Sequence, residues 1–461
     1  MAGINEYISK FKNKRILIQG LGLNGGGVGT AKFFLENNIN VIITDMKSGL
    51  DLEKSINELK EYEHKIKYVL GGHNESDFIE ADIVVKGPGV PPTNKFIKIA
   101  AENGSEIISD IEIFMNVTPC PVFAVTGSKG KSSTVSAIYN IFKTSTPNSF
   151  IGGNITISPL SFYKQLDEHS LVILELSSWQ LRDIKGKKIK FKGTGITNLL
   201  NDHQNYYTNM KDYLDDKAII AENLSPDEFL ILPDNDKMLN TGNIKTNASI
   251  YHISKNAVDA ALHFENGKAV FMEYGKSTVL FENDDIQLPG EHSRYNMLFA
   301  AGFCLLAGIK PEIIKEGIRS FKGTPYRLET VRVWNGIRFV NDTTATIPDA
   351  AANAIKAFNE PVIWIGGGED KNLDFSCIAE VQSIPKHILL LKGSGTEKMK
   401  SFIKRSDAVE DTSLEALLQK AVDIAHNGDV ILLSPGCTSF GLFRNEFHRG
   451  DVFNEFVKKL K

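Results

Sequence analysis

The sequence predicts a protein made of three α/β domains. A chain of 461 residues exceeds what one hydrophobic core normally supports, since single cores stop growing near about 250–300 residues. Short apolar runs of strand length recur and alternate with helical segments, a pattern typical of parallel sheets. Breaks rich in proline and glycine at residues 118–121 and 323–325 separate these runs, so we expect domains at residues 1–112, 113–322 and 323–461.

The composition favours a folded cytoplasmic protein over a nucleic-acid-binding or membrane protein. Hydrophobic residues make up 42% of the chain and charged residues 23%, and the formal net charge is -4. Binding to nucleic acid would need a local basic patch, and none stands out. The sequence lacks a signal-peptide pattern and an apolar run long enough to span a bilayer. The four cysteines are far apart, which predicts packing residues rather than disulfides or a zinc site.

The first domain opens with a strand, a glycine-rich turn and a helix. The run Ile16–Gly20 leads into the turn Gly20–Gly25, and the next strand ends at Asp45. This arrangement resembles a dinucleotide-binding fingerprint, in which the acid binds a ribose. The motif is weak by itself, and a tight turn serving another nucleotide group is the alternative. A third strand, Ile83–Val85, stops at the glycines and prolines of residues 87–92.

The strongest single signal is the segment Val125–Ser133, which follows a strand and opens a helix. This is the pattern of a phosphate loop, whose backbone amides and helix N-terminus face a polyphosphate. Lys131 would bridge the outer phosphates, and the Ser132 hydroxyl would bind the accompanying magnesium. A glycine-rich turn without a ligand is the competing interpretation. The candidate ATP-binding residues of the loop are Gly127, Ser128, Lys129, Gly130, Lys131, Ser132 and Ser133.

Three further residues of the second domain are candidates for chemistry. Glu175 ends an apolar strand, where its carboxylate could hold magnesium, although a surface glutamate in a loop is the alternative. His203 also follows a strand and could be a metal ligand, but a lone histidine is more often a packing residue. Lys217 has the pattern of an exposed helical lysine, and spacing alone does not single it out.

The third domain has strands at Ile337–Val340, Val362–Ile365 and Val430–Leu433. Asp342 follows the first of these strands and Lys371 the second, so each could reach ATP or substrate, with ordinary loop solvation as the alternative. Before this domain, the polar stretch between about residues 235 and 290 predicts a less regular segment.

Taken in order, several short segments resemble the Mur ligase family over the whole chain. They are Thr126–Ser132, Gly152–Ile155, Glu175–Leu181, Asn201–His203, Pro289–Asn296, Tyr326–Glu329, Asn341–Asp342 and Ser434–Ser439. The resemblance implies a Rossmann-like UDP-binding domain, a central P-loop ATPase-like domain and a Rossmann-like C-terminal domain. It implies an ATP- and Mg²⁺-dependent ligase of peptidoglycan synthesis that adds D-glutamate to UDP-N-acetylmuramoyl-L-alanine through an acyl phosphate. Both small molecules would be its partners, without nucleic acid or membrane insertion, and the protein would be a monomer.

The resemblance also implies roles for individual residues. ATP would be bound by the phosphate loop together with Asn296, Arg327, Asp342 and Lys371. Catalysis would depend on Lys131, His203 and Lys217. The metal would be held by Ser132, Glu175, His203 and a carbamylated Lys217, a modification that needs a neutral amine first. The substrate would contact Gly22, Leu23, Asn24, Asp45, Gly89, Asn154, Ser177, Gln180, Thr346 and Ser439.

Two positions depart from the pattern of the D-glutamate enzymes in this family. Thr344 stands where a lysine is usual, and Glu446 stands where an aromatic residue is usual. A hydrogen bond to a charged group contributes about 1.5–3 kcal/mol, so either Arg444 or Arg449 offsets the loss or the amino acid differs. A ligase adding L-glutamate to the same acceptor is therefore the main alternative. A nicotinamide-dependent oxidoreductase and a non-catalytic nucleotide sensor are the alternatives from other classes.

Overall fold

The computed structural model forms two compact units and contains three sheets, which confirms the predicted α/β class. It describes residues 2–23, 25–91, 93–200, 207, 209–234, 236–239, 242–255, 259–371, 373–405, 408–439 and 441–461. The first unit comprises Met1–Asp285 with Asn296–Arg319, and the second comprises Ile286–Tyr295 with Ser320–Lys461. Asn24 and His203 lie outside the described residues.

The N-terminal sheet is fully parallel, with the strand order β3-β2-β1-β4-β5. Its strands are β1 (Ile16–Gln19), β2 (Val41–Asp45), β3 (Ile66–Leu70), β4 (Ile83–Lys86) and β5 (Glu106–Ser109). Its helices are α1 (Ala2–Ser9), α2 (Gly26–Glu36), α3 (Glu53–Asn57), α4 (Glu75–Ile79), α5 (Lys95–Glu102) and α6 (Asp110–Val117). The strand order reverses between β1 and β4, and such switch points form the ligand crevice of open α/β sheets.

The central sheet of the first unit has the strand order β14-β13-β12-β11-β10-β9-β6-β8-β7. Its strands are β6 (Val122–Thr126), β7 (Ser149–Gly153), β8 (Leu171–Glu175), β9 (Gly193–Ile196), β10 (Phe229–Pro233), β11 (Ser249–Ile253), β12 (Leu262–Glu265), β13 (Lys268–Glu273) and β14 (Lys276–Glu282). The helices that follow in this part of the chain are α7 (Lys131–Ser145), α8 (Ser178–Asp183), α9 (Met210–Ala218), α10 (Glu291–Leu306) and α11 (Pro311–Ser320). Strand β6 lies between β8 and β9, so residues following these three strands meet at one edge.

The prediction of an irregular segment between about residues 235 and 290 is wrong. Strands β11 to β14 extend the central sheet, and β12, β13 and β14 pair antiparallel through two tight turns. The turn residues Asn266 and Gly267 have φ of 48° and 78°, and Tyr274 and Gly275 have φ of 48° and 74°. Two consecutive residues with positive φ are typical of two-residue hairpin turns, for which Asn-Gly is a strong sequence signal. The signal was present, but the polar composition of the stretch concealed it.

The first two predicted domains pack into a single compact unit. One cluster of buried apolar side chains continues from the N-terminal sheet into the central sheet. The rings of Phe33 and Tyr163 meet edge to face at 5.2 Å, and the Asn37 side-chain amide donates to the Tyr163 hydroxyl at 2.8 Å. The two sheets therefore share a core.

The second unit contains a sheet with the strand order β15-β16-β20-β17-β18-β19. Its strands are β15 (Glu329–Trp334), β16 (Ile337–Asn341), β17 (Val362–Gly367), β18 (His387–Leu391), β19 (Val409–Asp411) and β20 (Val430–Leu433). Its further helices are α12 (Pro348–Lys356), α13 (Ser376–Val381), α14 (Ser394–Lys400), α15 (Leu414–Ile424) and α16 (Glu446–Lys459). In the part of this sheet that the structure describes, β15 pairs antiparallel with β16 and the other pairs are parallel. Among the described residues, no helix combines the length and apolar character that crossing a membrane requires.

Candidate active site

The phosphate loop lies between β6 and α7, and two of its glycines have backbone conformations that other residues rarely adopt. Gly127 has φ of 147° and Gly130 has φ of 79°. A Cβ atom on Gly127 would lie 2.0 Å from Thr197 Oγ1, so the position has no room for a side chain. Lys131 opens α7, and its Nζ donates to the carbonyls of Gly127 and Ser128 at 2.8 and 3.0 Å. The loop is therefore tightly shaped, and its lysine lies across it.

Two polar residues that directly follow β9 fix the phosphate loop. The Thr197 hydroxyl donates to the Lys129 carbonyl at 2.6 Å. The Asn198 carbonyl accepts from Ser128 N at 3.0 Å, and its side-chain oxygen accepts from Lys129 N at 2.9 Å. A polar pair just beyond an apolar strand was the signal that could have identified these residues.

Lys217 is buried, with 1% of its surface exposed, which contradicts the exposed position that its helical pattern predicts. Its Nζ donates to the Gly127 carbonyl at 2.9 Å and lies 4.5 Å from the centre of the Tyr213 ring. The Tyr213 hydroxyl shares a hydrogen bond of 3.2 Å with the Ser128 hydroxyl. Helix α9 therefore places Tyr213 and Lys217 against the phosphate loop, and Tyr213 is a further residue that the sequence did not identify.

Glu175 ends β8 and is buried, with 2% of its surface exposed. Its Oε1 accepts from the Asn154 side-chain amide at 2.9 Å, whereas its Oε2 has no hydrogen-bond partner among the described residues. A buried carboxylate oxygen without a partner is costly, and it suits a cation. The described residues contain no group of three or more His, Cys, Asp or Glu placed to hold a metal. One carboxylate and the Ser132 hydroxyl still fit Mg²⁺, which usually takes one or two carboxylates plus phosphate oxygens.

The segment after Glu175 forms a capping box at the start of α8. The Ser177 hydroxyl accepts from Gln180 N at 3.2 Å, and Gln180 Oε1 accepts from Ser177 N at 3.0 Å. Such reciprocal bonds satisfy the free amides at a helix start. The two predicted substrate contacts therefore have a structural role, and contact with a ligand would use their remaining polar atoms.

At the edge of the N-terminal sheet, Asp45 organises the glycine-rich turn. Its Oδ2 accepts from Leu21 N at 2.9 Å and from Gly22 N at 3.0 Å. The loop that contains Gly89 is bonded to the end of β1, just before the glycine-rich turn, because Gly87 N donates to the Gln19 carbonyl at 2.9 Å. The structure thus brings together the predicted substrate contacts Gly22, Leu23, Asp45 and Gly89.

The remaining candidates divide between the two units. Asn296 belongs to the first unit and lies against the phosphate loop, since a Cβ atom on Gly130 would be 2.7 Å from its Oδ1. In the second unit, Asp342 and Ser439 are buried, Thr346 is partly buried, and Arg327 and Lys371 are exposed. Asp342 Oδ2 accepts from the Ser434 hydroxyl at 2.7 Å, and Oδ1 accepts from Leu328 N at 3.1 Å.

Arg449 is the most deeply buried cation of the second unit, with none of its surface exposed. Its Nη2 and Nε donate to the carbonyl and hydroxyl of Thr343 at 2.8 and 3.0 Å, and Nη1 donates to the Cys437 carbonyl at 3.3 Å. Burial lowers the pKa of this guanidinium to about 10. Arg449 therefore joins the loops that follow β16 and β20, while Arg444 is exposed. Whether either arginine offsets the missing lysine at Thr344 stays a prediction.

We expect Asp342→Asn to flatten the pH dependence of stability in the second unit. Burial raises the pKa of Asp342 to about 7 from its ordinary 3.8, so the folded state favours the protonated carboxyl. Its contribution to stability is complete below about pH 4 and is lost as pH rises through about 7, at roughly 1.4 kcal/mol per pKa unit. Urea unfolding followed by the fluorescence of buried Trp364 between pH 4 and 8 measures this.

The surface substitution Asp349→Asn in the same unit controls for the change in net charge. An unchanged slope between pH 4 and 8 in Asp342→Asn would contradict the assignment of the raised pKa to this carboxyl.

Three family models match the chain in order. They are the MurD-like N-terminal domain of Mur ligases at residues 14–109, the Mur ligase middle domain at 125–304 and the Mur ligase glutamate ligase domain at 326–437. The UDP-N-acetylmuramoylalanine–D-glutamate ligase of Borreliella afzelii (strain PKo) is 37% identical, over 98% of this chain and 99% of its own. The chain belongs to the Mur ligase family. As a Mur ligase, it is an ATP-dependent enzyme that forms carbon–nitrogen bonds.

Further relatives agree with this membership. The UDP-N-acetylmuramoylalanine–D-glutamate ligase of Roseiflexus sp. (strain RS-1) is 34% identical, over 97% of this chain and 99% of its own. Among solved structures, the UDP-N-acetylmuramate-alanine ligase MurC of Thermotoga maritima has a TM-score of 0.63 at 16% identity, covering 97% of this chain and all of that one. The latter likeness shows that this Mur ligase shares the three-domain fold. The domain boundaries given above stay predictions.

Proposed function

We propose that this Mur ligase joins D-glutamate to UDP-N-acetylmuramoyl-L-alanine with the hydrolysis of ATP, as a step of peptidoglycan synthesis. The observation that carries the proposal is the full-length likeness to ligases named for that reaction, at 37% identity. The site supports it, since the phosphate loop, Glu175 and Lys217 gather at one edge of the central sheet.

The chemistry follows from the acceptor. A carboxylate is a poor acyl donor, so an oxygen of the alanine carboxylate attacks the γ-phosphorus of ATP, giving an acyl phosphate and ADP. The amino group of glutamate then attacks the acyl carbon, the amide bond forms, and phosphate and a proton leave. The loop amides and Lys131 hold the phosphates and neutralise the charge that gathers during transfer, the type of contribution that usually dominates such sites.

Magnesium fits the site through Glu175 and Ser132. The buried, unpartnered Oε2 of Glu175 is the observation in its favour. When bound, the ion would neutralise phosphate charge and help to align the transferred group. Lys217 would join this site only as a carbamate, and His203 lies outside the described residues, so both ligands stay predictions.

The other candidate residues receive their roles as part of the same proposal. The UDP end of the acceptor binds at Gly22, Leu23, Asp45 and Gly89, and Asn24 is expected beside them. Its reactive end lies near Asn154, Ser177 and Gln180. Asn296, Arg327, Asp342 and Lys371 contact ATP, and Thr346 and Ser439 contact the incoming amino acid.

The identity of the amino acid depends on position 344. Thr344 carries no cation, and its hydroxyl donates to the Tyr326 carbonyl at 2.8 Å, so it does not replace the usual lysine. This observation keeps L-glutamate as the second candidate substrate.

We expect phosphate release that requires ATP, Mg²⁺, UDP-N-acetylmuramoyl-L-alanine and D-glutamate together. Parallel assays with D- and L-glutamate, each with single-component omissions, measure this. Turnover with L-glutamate alone would establish the variant reaction. Turnover with another amino acid and with neither enantiomer of glutamate would end the glutamate assignment.

A further inference from the structure

A buried ammonium group lies where the N-terminal sheet packs against the central part of the first unit. Lys86 is the last residue of β4, and only 3% of its side chain is exposed. Its Nζ is 2.8 Å from Asp183 Oδ2 and donates to the Val90 carbonyl at 2.7 Å, with a longer contact of 3.5 Å to the Gly87 carbonyl. The ammonium is therefore held by one ion pair and by hydrogen bonds to backbone carbonyls of the loop that follows β4.

The two strong partners of Lys86 belong to different parts of the proposed active site. Val90 closes the turn that contains Gly89, since its N–H donates to the Gly87 carbonyl at 3.0 Å, and its own carbonyl accepts from Lys86. Asp183 is the last residue of α8, the short helix that starts two residues after Glu175 with the Ser177 cap. One ammonium therefore connects the loop proposed to bind the acceptor with the helix beside the proposed metal ligand.

The side chains of this ion pair are largely buried, with 3% of Lys86 and 8% of Asp183 exposed. Asp110 is the first residue of α6 and interacts electrostatically with both Lys86 and Asp183. Burial raises the pKa of Asp110 and of Asp183 to about 6 each, and attraction by Lys86 opposes the shift in both cases. The charge of Lys86 thus lowers the pKa of both carboxyls and favours their ionised form.

Holding the two sheets together does not require such a pair. Lys164 and Glu36 cross the same boundary at 2.6 Å, with 52% and 31% of their side chains exposed. A buried ion pair is often no more stabilising than apolar residues of similar volume. Lys86 differs from the surface pair Lys164 and Glu36 because it also donates a hydrogen bond to the Val90 carbonyl. This bond ties Lys86 to the loop of residues 87–90.

We propose that Lys86, held by Asp183, is a positioning residue that fixes the Gly87–Val90 loop for the UDP-linked acceptor. The proposal rests on the proposed function for the identity of that acceptor. Lys86 contacts no reacting atom in this scheme. It acts by holding the loop in the shape that the acceptor meets, so its loss weakens acceptor binding more than the chemical step.

The kinetic test compares Lys86→Met, Asp183→Asn and the double variant with Lys164→Met as the matched control. We expect the KM for UDP-N-acetylmuramoyl-L-alanine to rise at least tenfold in both single variants, with kcat and the KM for ATP changed less than threefold. Because the two residues act as one unit, the KM of the double variant should not exceed that of the more impaired single variant. Lys164→Met should match the unmodified protein.

A second measurement does not depend on turnover. Hydrogen exchange of the peptide spanning residues 83–91, without substrate, should be faster in Lys86→Met and in Asp183→Asn but not in Lys164→Met. Unchanged KM and exchange, or a loss confined to kcat, would overturn the proposal. If Lys86→Met does not fold, Asp183→Asn, which keeps the shape of the side chain, decides by the same criteria. Absence of turnover by the unmodified protein would count against the proposed function, whereas the exchange result would still test the loop.

Discussion

Lys131→Met is expected to reduce phosphate release about 10³-fold or more, the largest effect of any single substitution in this protein. Its Nζ donates hydrogen bonds to the carbonyls of Gly127 and Ser128 in the phosphate loop. The outer phosphates of ATP would replace these carbonyls as partners of the ammonium. Removing one preorganised group that stabilises transition-state charge costs about 10²–10³-fold in comparable sites, and here the ground-state phosphates lose the same cation. Phosphate release with saturating substrates measures the loss, and calorimetry with ATP separates binding from transfer.

Lys143→Met is the matched control for this experiment. Lys143 lies on the same helix, and its Nζ donates to the Pro147 carbonyl at 2.8 Å, away from the loop. Its removal should leave phosphate release unchanged. A Lys131→Met enzyme that retains more than a tenth of its activity would mean that phosphoryl transfer does not use this loop.

The features that could be predicted from sequence are those whose cause is local. The spacing of strand, glycines and helix around Gly127 and Lys131 specifies the phosphate loop within a few residues of chain. The same holds for Glu175, which must lie at the sheet edge because it is the last residue of an apolar strand. The position of such a residue along its strand is enough to predict that it lies at the carboxyl edge of the sheet, because this prediction does not depend on the other elements of the fold.

Features that depend on distant partners could not be predicted in this way. Lys217 has the pattern of a surface residue, but the atom that binds it, the Gly127 carbonyl, is 90 residues away. Asp45 was expected to contact the substrate, and it ends β2 as the strand pattern predicts. Its carboxylate nevertheless accepts from the turn at Leu21 and Gly22, which no spacing rule reveals. In each case the decisive contact is a tertiary one, and local periodicity carries no information about it.

The buried Arg449 shows the same limit in the second unit. Its position in α16 gives no sign that its guanidinium reaches Thr343, which is 106 residues away. The resemblance to Mur ligases identified Thr344 as the position of the missing lysine. The structure shows in addition that Arg449 binds the adjacent residue Thr343. The long-range contacts therefore suggest which side chains shape the amino-acid site, and the assays with both enantiomers decide what it accepts.

Glu175→Gln should lower the apparent affinity for Mg²⁺ about 10–100-fold and the rate by a comparable factor. The amide keeps an oxygen for Asn154, which now donates to Oε1 at 2.9 Å, so the local structure is preserved. What is lost is the negative charge at the buried Oε2, the atom without a partner among the described residues. Losses of this size are usual when a group that supports a metal is removed. Initial rates across a Mg²⁺ titration measure both effects.

Stability provides the second half of this test. Without Mg²⁺, Glu175→Gln should unfold at the same temperature as the unmodified protein or higher, because a buried charge is replaced by a neutral group of the same shape. Glu168→Gln, whose parent side chain is 81% exposed, should change neither property. A substitution that lowers activity while preserving or raising stability identifies a residue retained for function rather than for folding. If Glu175→Gln instead destabilised the protein and left the Mg²⁺ dependence unchanged, Glu175 would be a structural residue and the metal site would lie elsewhere.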